Sequence, residues 1–385
     1  MKEHGERVTG ATEEATISAS GIAADERRAV DSERRIPAAR LHQFIAAVFA
    51  HLGVSAVNAA RAADSLVIAD LRGITSHGVA RLGMYVAQIQ TGAIDPRATL
   101  TTIRETPATG VYDADDGLAL ALAPEAMDHC IDKALATGIG MVTVGNSTHF
   151  GIAGSYAIQA ARRGLGAIAM TNAGPLVAPT GGRTPMLGTN PIAFAVPTGP
   201  DRPPFVFDMA TSAVAYGKIE NARRANKPLA LGLALDEHGF ATTDPHMARS
   251  LLPLGGEQAT SGYKGYGLAV LVDILCGPLA SGLWGTHLAS VQRIGNRAGL
   301  GHAFMAWRID AFRDPDEFAH DVRQLLDELR ACPPAPGDDV TGVLAPGDPE
   351  LAATRANEAH GIALHPTVWA DLEAISRQLG IPLEA

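Results

Sequence analysis

Apolar side chains recur every three to four residues in segments 38–52 and 56–71, which predicts two amphipathic helices. A third helix is predicted to begin at Ser76, as its N-cap, and to continue to Ile89. Beyond it, short apolar runs that predict strands alternate with helical stretches. These strands are predicted over residues 99–104, 109–113, 140–144, 166–171, 192–196, 205–208 and 304–308, and the helices over 123–137, 153–163, 212–225, 264–277, 314–332, 349–360 and 366–379. The alternation indicates an α/β or mixed α+β fold.

Polar chemistry is concentrated at the start of the third predicted helix, in the segment 72–82, which reads RGITSHGVARL. On an α-helix, His77 and Arg81 are four residues apart and leave the same face. Arg81 offers two parallel donors to a carboxylate, and His77 exchanges a proton near neutral pH. The positive end of the helix dipole favours an anion there and lowers the pKa of the imidazole. These groups suit a 2-hydroxy or 2-oxo acid; a capped helix with a solvated arginine is the structural alternative.

A second histidine lies in the segment 146–156, which reads NSTHFGIAGSY and follows the predicted strand 140–144. Open α/β sheets place ligands where a strand leads into a helix, and His149 occupies such a position. His149 is therefore a candidate general acid or base. A structural histidine that bonds the adjoining loop is an equal alternative.

Four further blocks combine glycine with polar residues: PTGG at 179–182, GTNP at 188–191, DMATS at 208–212 and GYKGYG at 262–267. Glycine permits close backbone approach, and unpaired amides bind phosphate. The Asp208 carboxylate is a candidate either to bind a ribose hydroxyl or to cap a helix. Lys264, at the start of a helix, is a candidate to bind an anion. Ordinary turns and a plain helix start are the competing interpretations. The chain has no G-x-G-x-x-G or P-loop motif, which argues against a Rossmann dinucleotide site.

Composition narrows the class of protein. The 385 residues suffice for two domains, and 46% hydrophobic with 19% charged residues is an ordinary globular balance. A net charge of −10 argues against nucleic-acid or anionic-membrane partners. Three widely spaced cysteines suit a reducing compartment, and 13 histidines without HxxxH or HExxH spacing predict no metal site. Residues 1–35 mix both charges without an apolar core, which predicts a disordered extension. No apolar run reaches membrane-spanning length. A cytoplasmic protein is therefore expected.

In combination, the motifs RGxxSHGxxR, HFGxAG, GTNP, DMATS and GYKGYG resemble the type-2 malate/L-lactate dehydrogenase family, which includes ureidoglycolate and sulfolactate dehydrogenases. The resemblance runs from about Ile36 to Ala385. It implies an NAD(P)-dependent oxidoreductase, with NAD slightly favoured, that interconverts a small 2-hydroxy acid and its 2-oxo acid. It also implies a family-specific non-Rossmann fold and a homodimer. The alternatives are a reductase of cyclic imino acids and a catalytically silent protein that binds small carboxylates.

When the motifs are matched residue by residue, the resemblance implies that Arg81 binds the substrate carboxylate. It makes His77, beside Ser76, the first candidate for proton transfer and His149 the second. The residues implied to line the cofactor are Gly188, Thr189, Asn190, Asp208, Met209, Ala210, Lys264, Gly265, Gly347 and Asp348. Departures from the family pattern at 116–119, 231–236 and 285–301 leave the substrate open.

Four parts of the chain are predicted to have different roles. Residues 1–35 form the extension, and residues 36–115 form a helical segment that carries the SHGxxR motif. The cofactor-binding domain spans 116–310. Residues 311–385 form a helical segment that packs back on the N-terminal part.

Overall fold

The computed structural model describes residues 34–336 and 342–383. The strands in these ranges are β1 (Arg34–Ile36), β2 (Thr101–Glu105), β3 (Thr109–Asp113), β4 (Ile139–Ser147), β5 (Leu165–Thr171), β6 (Ile192–Val196), β7 (Phe205–Met209), β8 (Ala234–Leu235), β9 (Ala241–Thr242), β10 (Ser250–Leu251), β11 (Leu300–Arg308) and β12 (Ile362–Leu364). The α-helices are α1 (Ala38–His51), α2 (Ala56–Leu71), α3 (Leu82–Gln90), α4 (Ala119–Thr137), α5 (Gly154–Ala161), α6 (Tyr216–Ala225), α7 (Gly262–Cys276), α8 (Pro315–Arg330), α9 (Asp348–His360) and α10 (Pro366–Leu379).

A seven-stranded mixed sheet with the order β2-β3-β4-β11-β5-β6-β7 forms the centre of the molecule. Only β3 and β4 run parallel; the other neighbouring pairs are antiparallel. One face of the sheet presents side chains such as Val142 and Phe304 to α4 and α5, where they form the main core. On the other face, Met170 and Ala303 pack against Val272 and Cys276 of α7. The mixed fold class predicted from the sequence is confirmed.

A second core joins the N-terminal helices to the C-terminal part of the chain. Leu41 and Phe49 of α1, Leu66 of α2 and Tyr85 of α3 pack in one cluster with Trp369 of α10. The same two parts of the chain are tied by the antiparallel pair β1–β12. This core places the beginning of α3 against the loop between β4 and α5.

Outside the active site, the largest departures from the predicted elements are in three places. Residues 34 and 35 belong to β1, so the predicted extension to residue 35 was too long; residues 1–33 lie outside the described part. The helix predicted over 212–225 begins at Tyr216, because Ser212 bonds the carbonyl oxygen of Val214 and pairs with Pro253. The stretch 226–262, in which no strand is predicted, contains the small sheet β10-β8-β9, whose two-residue strands are too short for a recognisable period.

Two kinds of feature are absent from residues 34–336 and 342–383. No helix in these ranges is long and apolar enough to cross a membrane. Within the same ranges, no group of three or more histidine, cysteine, aspartate or glutamate side chains is placed to hold a metal ion.

Candidate active site

The segment that carries His77 and Arg81 is two short turns rather than one α-helix. Residues Thr75–His77 and Val79–Arg81 each form a single 3₁₀ turn, and α3 begins only at Leu82. The predicted helix beginning at an N-cap Ser76 was therefore wrong. Instead of capping, the Ser76 hydroxyl makes a hydrogen bond of 2.8 Å with Nδ1 of His77.

A buried carboxylate explains the break between the two turns. Asp70, on the last turn of α2, is 1% exposed and accepts a hydrogen bond of 2.7 Å from the backbone N–H of Val79. Gly78 lies directly against it, and a Cβ at this position would overlap the Asp70 carboxylate. Because the carboxylate satisfies a backbone donor that a regular helix would bond internally, it holds the chain in the two-turn shape.

Arg81 is held so that the end of its side chain remains available. Its Nε donates a hydrogen bond of 2.8 Å to the carbonyl oxygen of Ser76, across the turn that contains His77. Neither terminal nitrogen of Arg81 has a hydrogen bond or ion pair with another described residue. Two parallel donors on a planar guanidinium are the arrangement that binds a carboxylate in bidentate fashion.

The two candidate histidines lie together. The rings of His77 and His149 are stacked, with centroids 5.5 Å apart and planes inclined by 25°. Nδ1 of His149 is 2.6 Å from the hydroxyl of Tyr85, which is fully buried. Tyr85 is not among the site residues predicted from the sequence, although its position four residues after Arg81, about one helical turn along the chain, was a usable indication.

Burial and neighbouring charges keep both imidazoles neutral. Burial, and then the positive charge of Arg81, lower the pKa of His77 to about 4. Burial also lowers the pKa of His149 well below its usual value, with smaller contributions from His77 and Arg81. The direction predicted for His77 was correct, but the cause is burial beside Arg81 and not a helix dipole. A neutral imidazole is the form that accepts a proton from a hydroxyl group.

A third histidine supports this arrangement without being free to react. His302 is fully buried, and its two ring nitrogens bond the hydroxyls of Thr171 (2.9 Å) and Ser147 (2.8 Å). Its ring stacks on Phe150, the residue after His149, at 4.5 Å. Burial lowers the pKa of His302 to about 3, so this ring is a neutral support for the His149 loop. No motif in the sequence indicates His302, because it stands alone on β11.

Several of the residues predicted to line a cofactor lie along β7. Asp208 accepts a hydrogen bond of 2.7 Å from the backbone N–H of Gly154, the first residue of α5, and burial raises the pKa of its carboxyl to about 6. Met209 is the last residue of the same strand, and Ala210 follows it. Gly347 packs on the backbone of Val206 so closely that a Cβ would overlap the Val206 carbonyl oxygen.

The remaining predicted cofactor residues meet just beyond β7. The backbone N–H of Thr211 donates to the carbonyl oxygen of Thr189, and that of Leu254 donates to Thr211, each at 2.8 Å. Gly265 of α7 packs against Leu254, and Lys264, the residue before Gly265, is exposed. Gly188 packs on the carbonyl group of residue 173. The Asn190 amide is used internally, since it bonds backbone groups of residues 173 and 269.

A cleft of about 830 Å³ opens beside β7, between the end of α2, α5 and the C-terminal helices. Its wall includes Gly347 and Asp348, and Asp348 is held by Arg330 through two hydrogen bonds of 2.9 and 2.8 Å. Six arginines line it: Arg72, Arg162, Arg202, Arg323, Arg330 and Arg355. Nε of Arg72 is buried and has no hydrogen-bond partner among the described residues. The volume, the arginines and the unused donor fit the phosphates of a dinucleotide.

Comparisons with known proteins identify relatives over most of the chain. The profile of the family described as malate/L-lactate dehydrogenase matches residues 36–373. A malate dehydrogenase of Pyrococcus horikoshii is 40% identical over 351 residues, 90% of this chain and 96% of that protein. A malate/(S)-sulfolactate dehydrogenase of Methanothermus fervidus is 36% identical over 86% of this chain and 94% of its own length.

A solved structure extends the similarity to the fold. The crystal structure of malate dehydrogenase from Entamoeba histolytica superposes with a TM-score of 0.86 at 32% identity, and covers 92% of this chain and 100% of that one. The agreement therefore includes the sheet, the N-terminal helices and the C-terminal part. The chain belongs to the malate/L-lactate dehydrogenase family of nicotinamide-dependent 2-hydroxy acid oxidoreductases, as its motifs predicted.

Proposed function

We propose that this protein interconverts malate, or a malate-like 2-hydroxy acid, and the corresponding 2-oxo acid, with NAD as the preferred cofactor. The observation that carries the proposal is the free end of Arg81 beside the stacked rings of His77 and His149. Malate is the first substrate to test because relatives at 40% identity are named malate dehydrogenases. NAD is favoured because a relative that is 33% identical is named ureidoglycolate dehydrogenase (NAD(+)).

Arg81 anchors the substrate in this proposal. Its two terminal nitrogens bind the C1 carboxylate, and its Nε remains bonded to the carbonyl oxygen of Ser76. The fixed guanidinium therefore fixes the carboxylate and brings the C2 oxygen to the histidine pair. The nicotinamide, when bound, accepts or supplies the hydride, so the protein contributes anchoring, orientation and proton transfer.

His149 is the group that we propose transfers the proton, with His77 stacked beside it. Support comes from the buried Tyr85, which bonds Nδ1 of His149 at 2.6 Å, whereas the partner of His77 is the exposed Ser76. Nε2 of His149 makes no hydrogen bond with the residues described, which leaves it for the substrate. Because a phenol both donates and accepts, Tyr85 is a suitable partner for Nδ1 whether that atom carries a proton or not.

Oxidation and reduction use opposite protonation states of the same ring. In oxidation, neutral His149 takes the proton of the C2 hydroxyl at Nε2, and Nδ1–H then donates to the Tyr85 oxygen. In reduction, the protonated ring returns that proton to the oxygen of the 2-oxo group. The lowered pKa of His149 makes the neutral form the resting state, and therefore the free enzyme is ready for oxidation.

The test is a substrate panel in which NADH or NADPH oxidation is followed at 340 nm. Oxaloacetate, sulfopyruvate, pyruvate and piperideine-2-carboxylate are each offered with both cofactors. Turnover of oxaloacetate with NADH above the other combinations is the expected result. Turnover of the cyclic imine alone would replace the proposal by an imine reductase, and binding of a carboxylate without any turnover would replace it by a binding protein.

We propose further that the protein is a homodimer that pairs through α7. Tyr263, Leu271 and Ile274 form an apolar stripe on this helix, and each is between 46% and 53% exposed. Trp284, just beyond the helix, extends the stripe and is 47% exposed. An exposed apolar stripe of this kind is typical of a self-complementary interface. Light scattering should give a dimer for the wild type and a monomer for Ile274→Glu, while Leu329→Glu on α8 remains dimeric; a monomeric wild type would contradict the proposal.

We also propose that the protein is located in the cytoplasm. Of the three cysteines, Cys130 and Cys276 are buried free thiols and Cys332 is an exposed free thiol. Free thiols suit the reducing cytoplasm. Fractionation of the producing cells, followed by detection of the protein with an antibody, tests this assignment; recovery with secreted proteins would contradict it.

A further inference from the structure

Arg72 stands apart from the other arginines of the cleft because part of its side chain is both buried and unused. It ends α2 and lies in the cleft wall, and its buried Nε has no partner among residues 34–336 and 342–383. A buried donor without an acceptor destabilises the fold, because nothing compensates for its removal from water. Such a donor in a cleft wall indicates that a ligand supplies the acceptor.

The charges around Arg72 indicate what kind of acceptor is missing. Burial lowers the pKa of the Arg72 guanidinium, and the nearby Arg162 lowers it further, while Glu350 and Asp208 act in the opposite direction. Asp208 is itself buried, and burial raises the pKa of its carboxyl. Two neighbouring guanidinium groups in one wall are stabilised by an anion, and planar guanidinium groups match phosphate oxygens in geometry.

The position of Arg72 relative to the histidines narrows the choice of phosphate. Arg72 precedes His77 by five residues, and Asp208 bonds the backbone of Gly154, which follows His149 by five residues. Five residues span at most about 18 Å, so Arg72 lies within that distance of His77, and Asp208, whose charge acts on Arg72, is bonded to the chain that follows His149. Arg202 lies in the turn before β7, at the other end of that strand from Asp208, and therefore lines the part of the cleft farther from the histidine pair.

We propose that Arg72, assisted by Arg162, binds the pyrophosphate of the nicotinamide dinucleotide. With the nicotinamide at the histidine pair and the adenosine in the outer cleft, the pyrophosphate falls between them, where Arg72 lies. A 2′-phosphate would lie beyond the adenosine ribose, at the outer end. The inference rests on the proposed function only in taking a nicotinamide dinucleotide as the ligand.

The test measures binding by calorimetry to the full chain without a hydroxy acid, so it does not depend on turnover. The probes are adenosine, ADP and 2′-AMP, and the proteins are wild type, Arg72→Gln, Arg72→Lys and the control Arg104→Gln, an exposed arginine on β2 at the other edge of the sheet from β7. We expect Arg72→Gln to weaken ADP binding about 10-fold or more and to leave adenosine binding unchanged, since a hydrogen bond to a charged group is lost. The ADP affinity of Arg72→Lys should lie between those of the wild type and Arg72→Gln, and Arg104→Gln should bind ADP like the wild type.

Three results would overturn the assignment. The first is unchanged ADP affinity in Arg72→Gln. The second is a loss for 2′-AMP but not for ADP, which would move the site to the 2′-phosphate. The third is an equal loss for adenosine and ADP, which would mean that the substitution alters the cleft itself; thermal unfolding followed by circular dichroism identifies such damage. Failure of the proposed function has a different signature, because ADP would still bind through Arg72 while no 2-oxo acid is reduced.

Discussion

Asp70 is expected to hold the active-site turns in place, although it does not contact the substrate. Its buried carboxylate accepts the backbone N–H of Val79, between His77 and Arg81. Asp70→Ala removes the acceptor and leaves that buried donor unpaired. Asp70→Asn keeps one acceptor oxygen at the same place and removes the titrating proton, which makes it the matched control.

The size of the effect follows from the lost hydrogen bond. A hydrogen bond to a charged group contributes about 1.5–3 kcal/mol, so Asp70→Ala should lower the free energy of unfolding by about 2 kcal/mol. Because the same bond positions His77 and Arg81, we also expect kcat/KM to fall about 10-fold or more. Asp70→Asn should retain most of the stability and a kcat/KM within about threefold of the wild type.

The dependence on pH separates the two variants further. Burial raises the pKa of Asp70 to about 7, above its value of about 3.9 in an unfolded chain. The folded state therefore binds this proton more tightly, and the stability that it contributes is lost as the pH rises from about 4 through 7. Between pH 5 and pH 8, the wild type should lose on the order of 2 kcal/mol relative to Asp70→Asn.

Urea unfolding at pH 5, 6.5 and 8, followed by circular dichroism, measures these differences, and steady-state kinetics at the same pH values measures the active site. The reasoning would be refuted by an Asp70→Ala protein as stable and active as the wild type. It would equally be refuted by parallel pH profiles of stability for the wild type and Asp70→Asn.

Three further predictions concern single side chains. Arg81→Lys should raise KM for the 2-oxo acid about 10-fold with a smaller change in kcat, because the planar pair of donors is lost; an unchanged KM in steady-state assays would contradict this role. Tyr85→Phe should lower kcat about 10-fold, since Nδ1 of His149 loses its partner, without changing NADH binding measured by fluorescence. Gly347→Ala should weaken NADH binding, because residue 347 has a φ of +91° and a Cβ there would overlap Val206. The control Gly217→Ala, where a Cβ meets open space, should bind NADH like the wild type.

Periodicity predicted much of the fold from the sequence. The predicted bounds 56–71, 109–113, 192–196 and 366–379 coincide with α2, β3, β6 and α10. In each of these elements, the side chains that face the core are spaced as their own backbone period requires. Strands of two residues, such as β8–β10, have no period to detect, and therefore no strand could be predicted there.

The site was predicted less completely, because part of it depends on contacts between distant residues. The motif at 76–81 identified the histidine and the arginine but not their geometry, since the break at Gly78 depends on the buried Asp70 of another helix. Tyr85 becomes important only when the fold brings His149, 64 residues away, to its hydroxyl. The arginines of the cleft come from separated helices and loops, so no local pattern reveals that they share one wall.

The central claim is that His149, beside Arg81 and His77, exchanges the proton of the substrate hydroxyl. The most direct measurement is kcat for malate oxidation with NAD by the wild type, His149→Gln and His77→Gln, with NADH affinity measured in parallel. The account predicts that His149→Gln loses about 10²- to 10⁴-fold in kcat with unchanged NADH affinity, and that His77→Gln loses less. A His149→Gln enzyme that oxidises malate at the wild-type rate would contradict it.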